Sequence, residues 1–109
     1  MKRTSKYKPF YHEESGITFT TFQQVREYVW NSRPHVSQLT GKRLFSENHP
    51  QWHWQFLHVI GRNNTYWVLN PDNILLALPS EHENQESYPE FIAKREELKA
   101  EYYKQFYKL

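Results

Sequence analysis

Histidine is the residue type that offers most chemistry in this 109-residue sequence, which has six histidines and no cysteine. Three of them, His49, His53 and His58, lie within ten residues. An imidazole exchanges a proton near physiological pH and, when neutral, binds divalent metals. Disulfides and thiolate zinc sites require cysteine. Any metal must therefore be held by histidine, aspartate, glutamate or asparagine.

Two short strands are predicted to position these groups. Residues 52–60 are rich in aromatic and β-branched side chains, which favour a strand, and His58 comes near its end. A polar loop and the turn sequence Asn-Pro-Asp-Asn at 70–73 follow, and then the apolar run 74–78 predicts a second, buried strand. Asn73 stands directly before that strand.

A short helix is predicted over residues 80–87. Pro79 ends the preceding strand, and Ser80 with Glu83 has the spacing of a capping box, in which each residue satisfies a backbone amide of the first turn. His82 then lies in that first turn. Strand, loop, strand and short helix thus carry three polar residues close to their junctions.

Further elements flank this unit. Thr21 and Gln24 have capping-box spacing at the start of a predicted helix over residues 21–31. Residues 36–44 predict a hairpin or tight turn. A long amphipathic helix is predicted at about 89–107, with its apolar side formed by Phe91, Leu98, Tyr102 and Phe106.

Length and composition predict one domain, residues 17–109, after a basic N-terminal arm at 1–16. Aromatic residues make up 17% of the chain, and each buried ring removes about 150–250 Å² from water, so a small core is sufficient. No run approaches the ~20 apolar residues of a membrane span, and the basic start lacks the apolar stretch of a secretory signal. We therefore expect a soluble intracellular protein without membrane association. A net charge of +2 permits nucleic-acid binding without arguing for it.

The segments 56–60 and 73–82, Phe-Leu-His-Val-Ile and Asn-Ile-Leu-Leu-Ala-Leu-Pro-Ser-Glu-His, resemble the His-Asn-His (HNH) endonucleases of the ββα-metal class. That family has an asparagine opening its second strand and a metal-binding histidine about nine residues later, the interval from Asn73 to His82. The resemblance covers roughly residues 36–86 and is closest to the small cysteine-free versions found in bacteriophages. It implies an α+β fold with a ββα-metal core at about 52–87.

The resemblance also implies a role for each matching residue in phosphodiester hydrolysis. His58 corresponds to the general base that activates water. Asn73 corresponds to the residue whose amide holds the loop and orients that imidazole. His82 corresponds to a ligand of a single divalent metal, which could be Mg²⁺, Mn²⁺, Ni²⁺ or Zn²⁺. Arg62 could stabilise the transition state.

The sequence departs from the family at Leu57. Many relatives have there an aspartate or histidine that is the second metal ligand, and leucine cannot coordinate a metal. Glu86 is the substitute that the sequence suggests, because His82 and Glu86 would be i and i+4 on one face of the predicted helix.

The expected substrate is DNA. Lys42, Arg43 and Arg62 lie beside the predicted site and could bind the phosphates that flank the cut. A phage or prophage origin would imply action in the bacterial cytoplasm.

Simpler interpretations remain for every one of these residues. His58 could be a hydrogen-bonded core histidine, Asn73 a turn former, His82 a solvated surface residue, and the basic residues ordinary surface charges. Two other functions also remain. One is a non-catalytic nucleic-acid-binding module on a degenerate core, and the other is a small inhibitor or adaptor protein with an aromatic partner surface.

Overall fold

Two small antiparallel sheets and a set of helices make up the fold of residues 7–61 and 65–106, the part of the chain that this computed structural model describes. They form one small domain, and the predicted α+β class is confirmed at that level. None of the helices within these residues is long and apolar enough to cross a membrane.

The first sheet is a hairpin of β1 (Phe10–His12) and β2 (Ile17–Phe19). A polar turn over residues 12–16 joins the two strands, and Gly16 closes it with a φ of 72°, which glycine adopts without strain. Phe10 packs against the hydrophobic core. The hairpin therefore crosses the predicted boundary at residue 16, and the arm's last residues pack with the rest of the domain.

Helix α1 (Phe22–Ser32) confirms the predicted first helix. The Thr21 hydroxyl accepts a hydrogen bond from the Gln24 amide at 3.3 Å, and the Gln24 side chain accepts one from the Thr21 amide at 3.2 Å. This reciprocal cap satisfies two amides that a helix start leaves unpaired. One face of α1, with Val25 and Val29, is completely buried.

The second sheet is a two-stranded ribbon of β3 (Phe56–His58) and β4 (Ile74–Leu76), in which His58 pairs with Ile74. Alternate residues of a strand point to opposite faces, and both faces of the ribbon are covered. Phe56 belongs to the core cluster on the α1 side, whereas Leu57 belongs to a second cluster that includes the C-terminal helix. Burial on both faces explains the continuous apolar sequence of these strands.

The predicted strand over 52–60 is wrong at its beginning. Trp52–Gln55 is a 3₁₀ helix, so Trp52 and Phe56 meet at a ring-centroid distance of 5.0 Å while Trp54 is 66% exposed. The Gln55 side chain accepts from the Phe45 amide at 2.6 Å and donates to the Phe45 carbonyl at 3.2 Å. These tertiary hydrogen bonds and the helical spacing of the buried rings outweigh local β propensity.

The predicted helix over 80–87 is also divided. Helix α3 (Pro79–His82) has only four residues, and a 3₁₀ helix, Gln85–Ser87, follows it. The capping box expected from Ser80 and Glu83 does not form. Instead Glu81 reaches back and accepts from the Leu78 amide at 2.9 Å, because proline starts the helix one residue earlier than predicted.

One further prediction, the tight turn, is confirmed. A tight turn lies within residues 36–44, where the Ser37 amide donates to the Lys42 carbonyl at 2.7 Å and Gly41 has a φ of 79°. The C-terminal helix is α4 (Pro89–Phe106), which buries Phe91 and Leu98 in the second core cluster.

Candidate functional site

Asn73 holds the end of the β3–β4 ribbon. Its side chain is completely buried and accepts from the Ile60 amide at 2.7 Å. The same carboxamide donates to the carbonyls of Ile60 at 3.0 Å and Trp67 at 3.2 Å. Short helix α2 (Thr65–Val68) is thereby joined to the strand end. Asn73 is thus more than a turn former, because it fixes the backbone two residues after His58.

His58 is half-buried on the ribbon face that packs toward α1. Its ring stacks on Phe22, with centroids 4.7 Å apart and planes inclined by 30°. Two backbone contacts position it, because the Val59 amide donates to the Asn73 carbonyl at 2.9 Å and His58 itself pairs with Ile74. The predicted neighbours His58 and Asn73 therefore meet at one end of the ribbon.

His82 lies at the end of α3 and is half-buried. Its Nε2 atom is buried without a hydrogen-bond partner among the described residues. Nε2 of the neutral imidazole is therefore available to bind a metal. Burial lowers the pKa of His82 below the ordinary 6.5, although the Ala77 carbonyl and the Glu81 carboxylate act in the other direction.

The two histidines are attached to different ends of the ribbon. Ala77, which lies two residues before α3, donates its amide to the Gln55 carbonyl at 2.9 Å. Gln55 lies three residues before His58, about 10 Å along an extended chain. The structure thus brings Asn73 close to His58, whereas His82 lies on α3, which follows the opposite end of the ribbon.

Glu86 does not share a helix face with His82, because α3 ends at His82. Its Oε1 atom accepts from Arg95 at 2.7 Å, although both His82 and Glu86 line one open pocket of about 380 Å³. Leu57 is buried in the second core cluster. Of the side chains considered as metal ligands from the sequence, His82 is the one with a nitrogen suited to the role.

The tight turn carries two of the three basic residues that the sequence predicts to bind phosphates. Lys42 and Arg43 are exposed on the tight turn, and that turn is joined to α3 through the buried carboxylate of Glu81. Glu81 accepts from the hydroxyls of Ser37 at 2.6 Å and Thr40 at 2.5 Å. Arg62, the third basic residue of the prediction, lies outside the described residues.

The other members of the histidine cluster pack against neighbouring aromatic rings. The ring of His49 stacks on Phe45 at 4.0 Å, and His53 meets the edge of Trp52 at 5.0 Å. His53 is exposed on the 3₁₀ helix.

Sequence reasoning missed two interactions around the turn that carries Asn73. Arg33, at the C-terminal end of α1, donates to the carbonyls of Ile74 at 2.6 Å and Pro71 at 3.0 Å. On the other side of the turn, the buried ring of His12 lies 3.2 Å from Asp72. The 60 residues between His12 and Asp72 explain why the sequence does not reveal the second contact.

Comparison with known protein families, with curated proteins and with solved structures gave no match to this chain.

Proposed function

We propose that this protein is a metal-dependent DNA endonuclease of the His-Asn-His type that hydrolyses phosphodiester bonds. The observation that carries the proposal is the carboxamide of Asn73, which bonds both the amide and the carbonyl of Ile60 beside His58. A turn former needs no such contacts. They are the contacts expected of a residue that fixes the strand end carrying a catalytic imidazole. The proposed setting is a phage infection or a prophage, in the bacterial cytoplasm.

His58 is the proposed general base. A neutral imidazole has the proton affinity to take a proton from water near neutral pH, and stacking on Phe22 restricts the orientation of the ring. The proton leaves the attacking water as its oxygen approaches the phosphorus atom. The exposed turn with Lys42 and Arg43 offers positive charge to the flanking phosphates, and Arg62 is the proposed partner of the phosphate that is cut.

His82 is the proposed metal ligand. Its buried Nε2 atom has no hydrogen-bond partner within the described residues. The lowered pKa favours the neutral form that a ligand needs. A divalent cation held there would supply a Lewis acid for the scissile phosphate. Glu86 stays a candidate second ligand and would have to leave Arg95 to bind.

The test is a nicking assay with supercoiled plasmid in Mg²⁺, Mn²⁺, Ni²⁺ or Zn²⁺. We expect nicking by the wild type that EDTA abolishes, and a loss of about 100-fold or more in the His58→Ala variant, since a general base contributes roughly 10²–10⁴-fold. His53→Ala is the matched control, because it removes an exposed histidine five residues away. Its nicking rate should equal that of the wild type.

Each outcome has a definite meaning. Nicking that survives His58→Ala in a folded protein would contradict the assignment of the base. Nicking that survives His82→Ala at every metal concentration would contradict the metal ligand. Circular dichroism of each variant distinguishes loss of chemistry from loss of fold.

A second function is favoured by one observation, the burial of Leu57. A leucine packed in the core offers no ligand where many HNH enzymes have one, and a non-catalytic nucleic-acid-binding module on a degenerate core would need none. DNA binding without cleavage in any of the four metals would support this alternative. Neither binding nor cleavage would favour an inhibitor or adaptor protein.

A further inference from the structure

A pocket lies between the β1–β2 hairpin, the Pro71–Asn73 turn and α4. Its volume is about 590 Å³. Four carboxylates line it, and aromatic side chains complete the wall. The carboxylates belong to Glu13, Glu14, Asp72 and Glu101. Close carboxylates repel one another unless a cation compensates for their charge.

A buried histidine lies within this acidic pocket. His12 is only 4% exposed, and its ring meets the edges of Phe19 and Tyr28 at centroid distances of 6.1 and 5.6 Å. Its Nδ1 atom lies 2.7 Å from the Ser15 hydroxyl. That contact directs Nε2 toward the carboxylate of Asp72, which is the arrangement that orients a metal-binding imidazole.

The donor atoms have the separations that a small cation requires. One atom each from His12, Glu14 and Asp72 lie within 4.8 Å of one another. Nε2 of His12 is 3.2 Å from Oδ1 of Asp72. Two ligand atoms bound to a tetrahedral zinc ion at about 2.0–2.1 Å are about 3.3 Å apart. The pair therefore needs almost no movement to share an ion, and Glu14 is exposed and free to adjust.

We propose that His12, Glu14 and Asp72 form a binding site for a first-row divalent cation, with Zn²⁺ as the best match to one imidazole and two carboxylates. The cation joins the N-terminal hairpin to the turn that carries Asn73, two segments 60 residues apart in the chain. Its role is to stabilise the fold around that turn. The proposal is independent of nuclease activity.

The positive charge of Arg33 acts against cation binding at this site. The guanidinium of Arg33 interacts favourably with the Asp72 carboxylate and competes for its charge. The remaining three carboxylates of the pocket leave an excess of negative charge even when Arg33 neutralises one. A divalent cation therefore still finds a favourable potential there.

The test uses the His82→Ala variant as background, so that the proposed catalytic ligand does not contribute. Isothermal titration with Zn²⁺ should give one site per chain. Asp72→Asn and Glu14→Gln should each weaken it at least as much as the ~10–100-fold that loss of a supporting group costs. Glu13→Gln is the matched control, because Glu13 lines the same pocket outside the triad. Its affinity should change by less than about threefold.

Thermal unfolding gives the second measurement. In the His82→Ala background, saturating Zn²⁺ should raise Tm by at least about 5 °C, since a ligand that binds only the folded chain stabilises it. Asp72→Asn should lose this shift while keeping its Tm in EDTA. Equal Zn²⁺ affinity in the His82→Ala protein with and without Asp72→Asn would overturn the proposal. So would the absence of Zn²⁺ binding in a folded protein. Because neither measurement involves DNA, failure of the cation site and failure of the nuclease proposal are distinguishable.

Discussion

Two adjacent residues of the Pro71–Asn73 turn serve two different regions of the molecule. Asn73 is completely buried and satisfies three backbone groups with one neutral carboxamide. The side chain of Asp72 is 44% exposed and faces His12 across an acidic pocket. The polar groups of the first region satisfy one another, whereas the second gathers carboxylates that repel one another. The two side chains should therefore differ sharply in what they contribute to the metal-free protein.

The largest effect is expected from Asn73→Ala. The variant leaves the amide and carbonyl of Ile60 and the carbonyl of Trp67 without their partners. Because each buried unsatisfied group costs about 1–3 kcal/mol, we expect a loss of roughly 3–5 kcal/mol in the free energy of unfolding. Urea denaturation in EDTA measures it.

Asn84→Ala is the matched control for this change. Asn84 is exposed, and its side chain makes no capping hydrogen bond to the 3₁₀ helix that follows. We expect a change below about 0.5 kcal/mol. If the two asparagine variants were equally stable, the Asn73 carboxamide would not hold the ribbon end.

The second effect concerns Arg33, which binds the turn from the side of α1. Arg33→Met removes hydrogen bonds to the carbonyls of Pro71 and Ile74 and to Gln38. Burial lowers the pKa of Arg33, and the Asp72 carboxylate and Tyr28 offset this only in part, so the charge is costly to keep and its removal recovers some free energy. The net loss should be about 2–3 kcal/mol by urea denaturation.

Arg43→Met makes the same chemical change at an exposed position and should cost less than about 0.5 kcal/mol. If Arg33→Met lost no more free energy of unfolding than Arg43→Met, the guanidinium of Arg33 would not stabilise the turn.

The third effect lies at the other end of the ribbon, where Glu81 joins α3 to the tight turn. Glu81→Gln keeps the size of the side chain but loses charge-assisted hydrogen bonds from Ser37 and Thr40. We expect a loss of about 1.5–3 kcal/mol at pH 7. Glu83→Gln, an exposed neighbour, is the control and should be nearly neutral.

The free energy of unfolding that Glu81→Gln loses should depend on pH. Burial acts to raise the pKa of Glu81, but hydrogen bonds from Ser37, Thr40 and the Leu78 amide, with the charge of Lys42, hold it below the ordinary 4.5. A carboxylate with a depressed folded pKa contributes its full stability above the unfolded value. That contribution is lost as the pH falls through the folded pKa. The difference between wild type and Glu81→Gln should therefore be constant above about pH 5 and shrink below pH 4.5. A difference that grew on acidification would contradict this.

The sequence predicts an element of the fold well when the residues that determine the element are close to one another in the chain. Helix α1 and the tight turn follow from nearby residues, and both were predicted. The strand at 52–55 and the single helix at 80–87 were predicted wrongly. The Gln55 side chain bonds the backbone of Phe45, and Glu81 caps a helix that begins at Pro79, so tertiary and capping interactions replaced the local preference.

The functional residues also differ in whether the sequence reveals them, depending on how far apart they lie in the chain. The spacing of His58, Asn73 and His82 could be recognised because strand, turn and helix follow one another directly in the chain. His12 and Asp72 could not be paired from the sequence, since nothing local indicates which polar turn residue a hairpin 60 residues away will face. Single turn-forming residues carry no information about tertiary partners.

The smallest effect, and the sharpest contrast with Asn73, is expected from Asp72→Asn in EDTA. The change removes the carboxylate that faces the His12 ring, a partly exposed contact worth about 0–1 kcal/mol, and also removes repulsion with the nearby carboxylates. The two terms oppose each other, so the free energy of unfolding should change by less than about 0.5 kcal/mol. Urea denaturation of both proteins in the same buffer measures this.

Addition of Zn²⁺ should reveal a second difference between the variants of the two adjacent residues. The wild type gains stability with rising Zn²⁺, because binding to the folded chain alone adds to the free energy of unfolding, and Asp72→Asn gains less because it lacks one ligand. Asn73→Ala should gain Zn²⁺ stabilisation as the wild type does, provided that the variant is folded, because its ligands are intact. A large loss in the free energy of unfolding of Asp72→Asn in EDTA would mean that the carboxylate is a structural partner of His12. Asp72 and Asn73 would then both stabilise the metal-free protein and would differ only in how much.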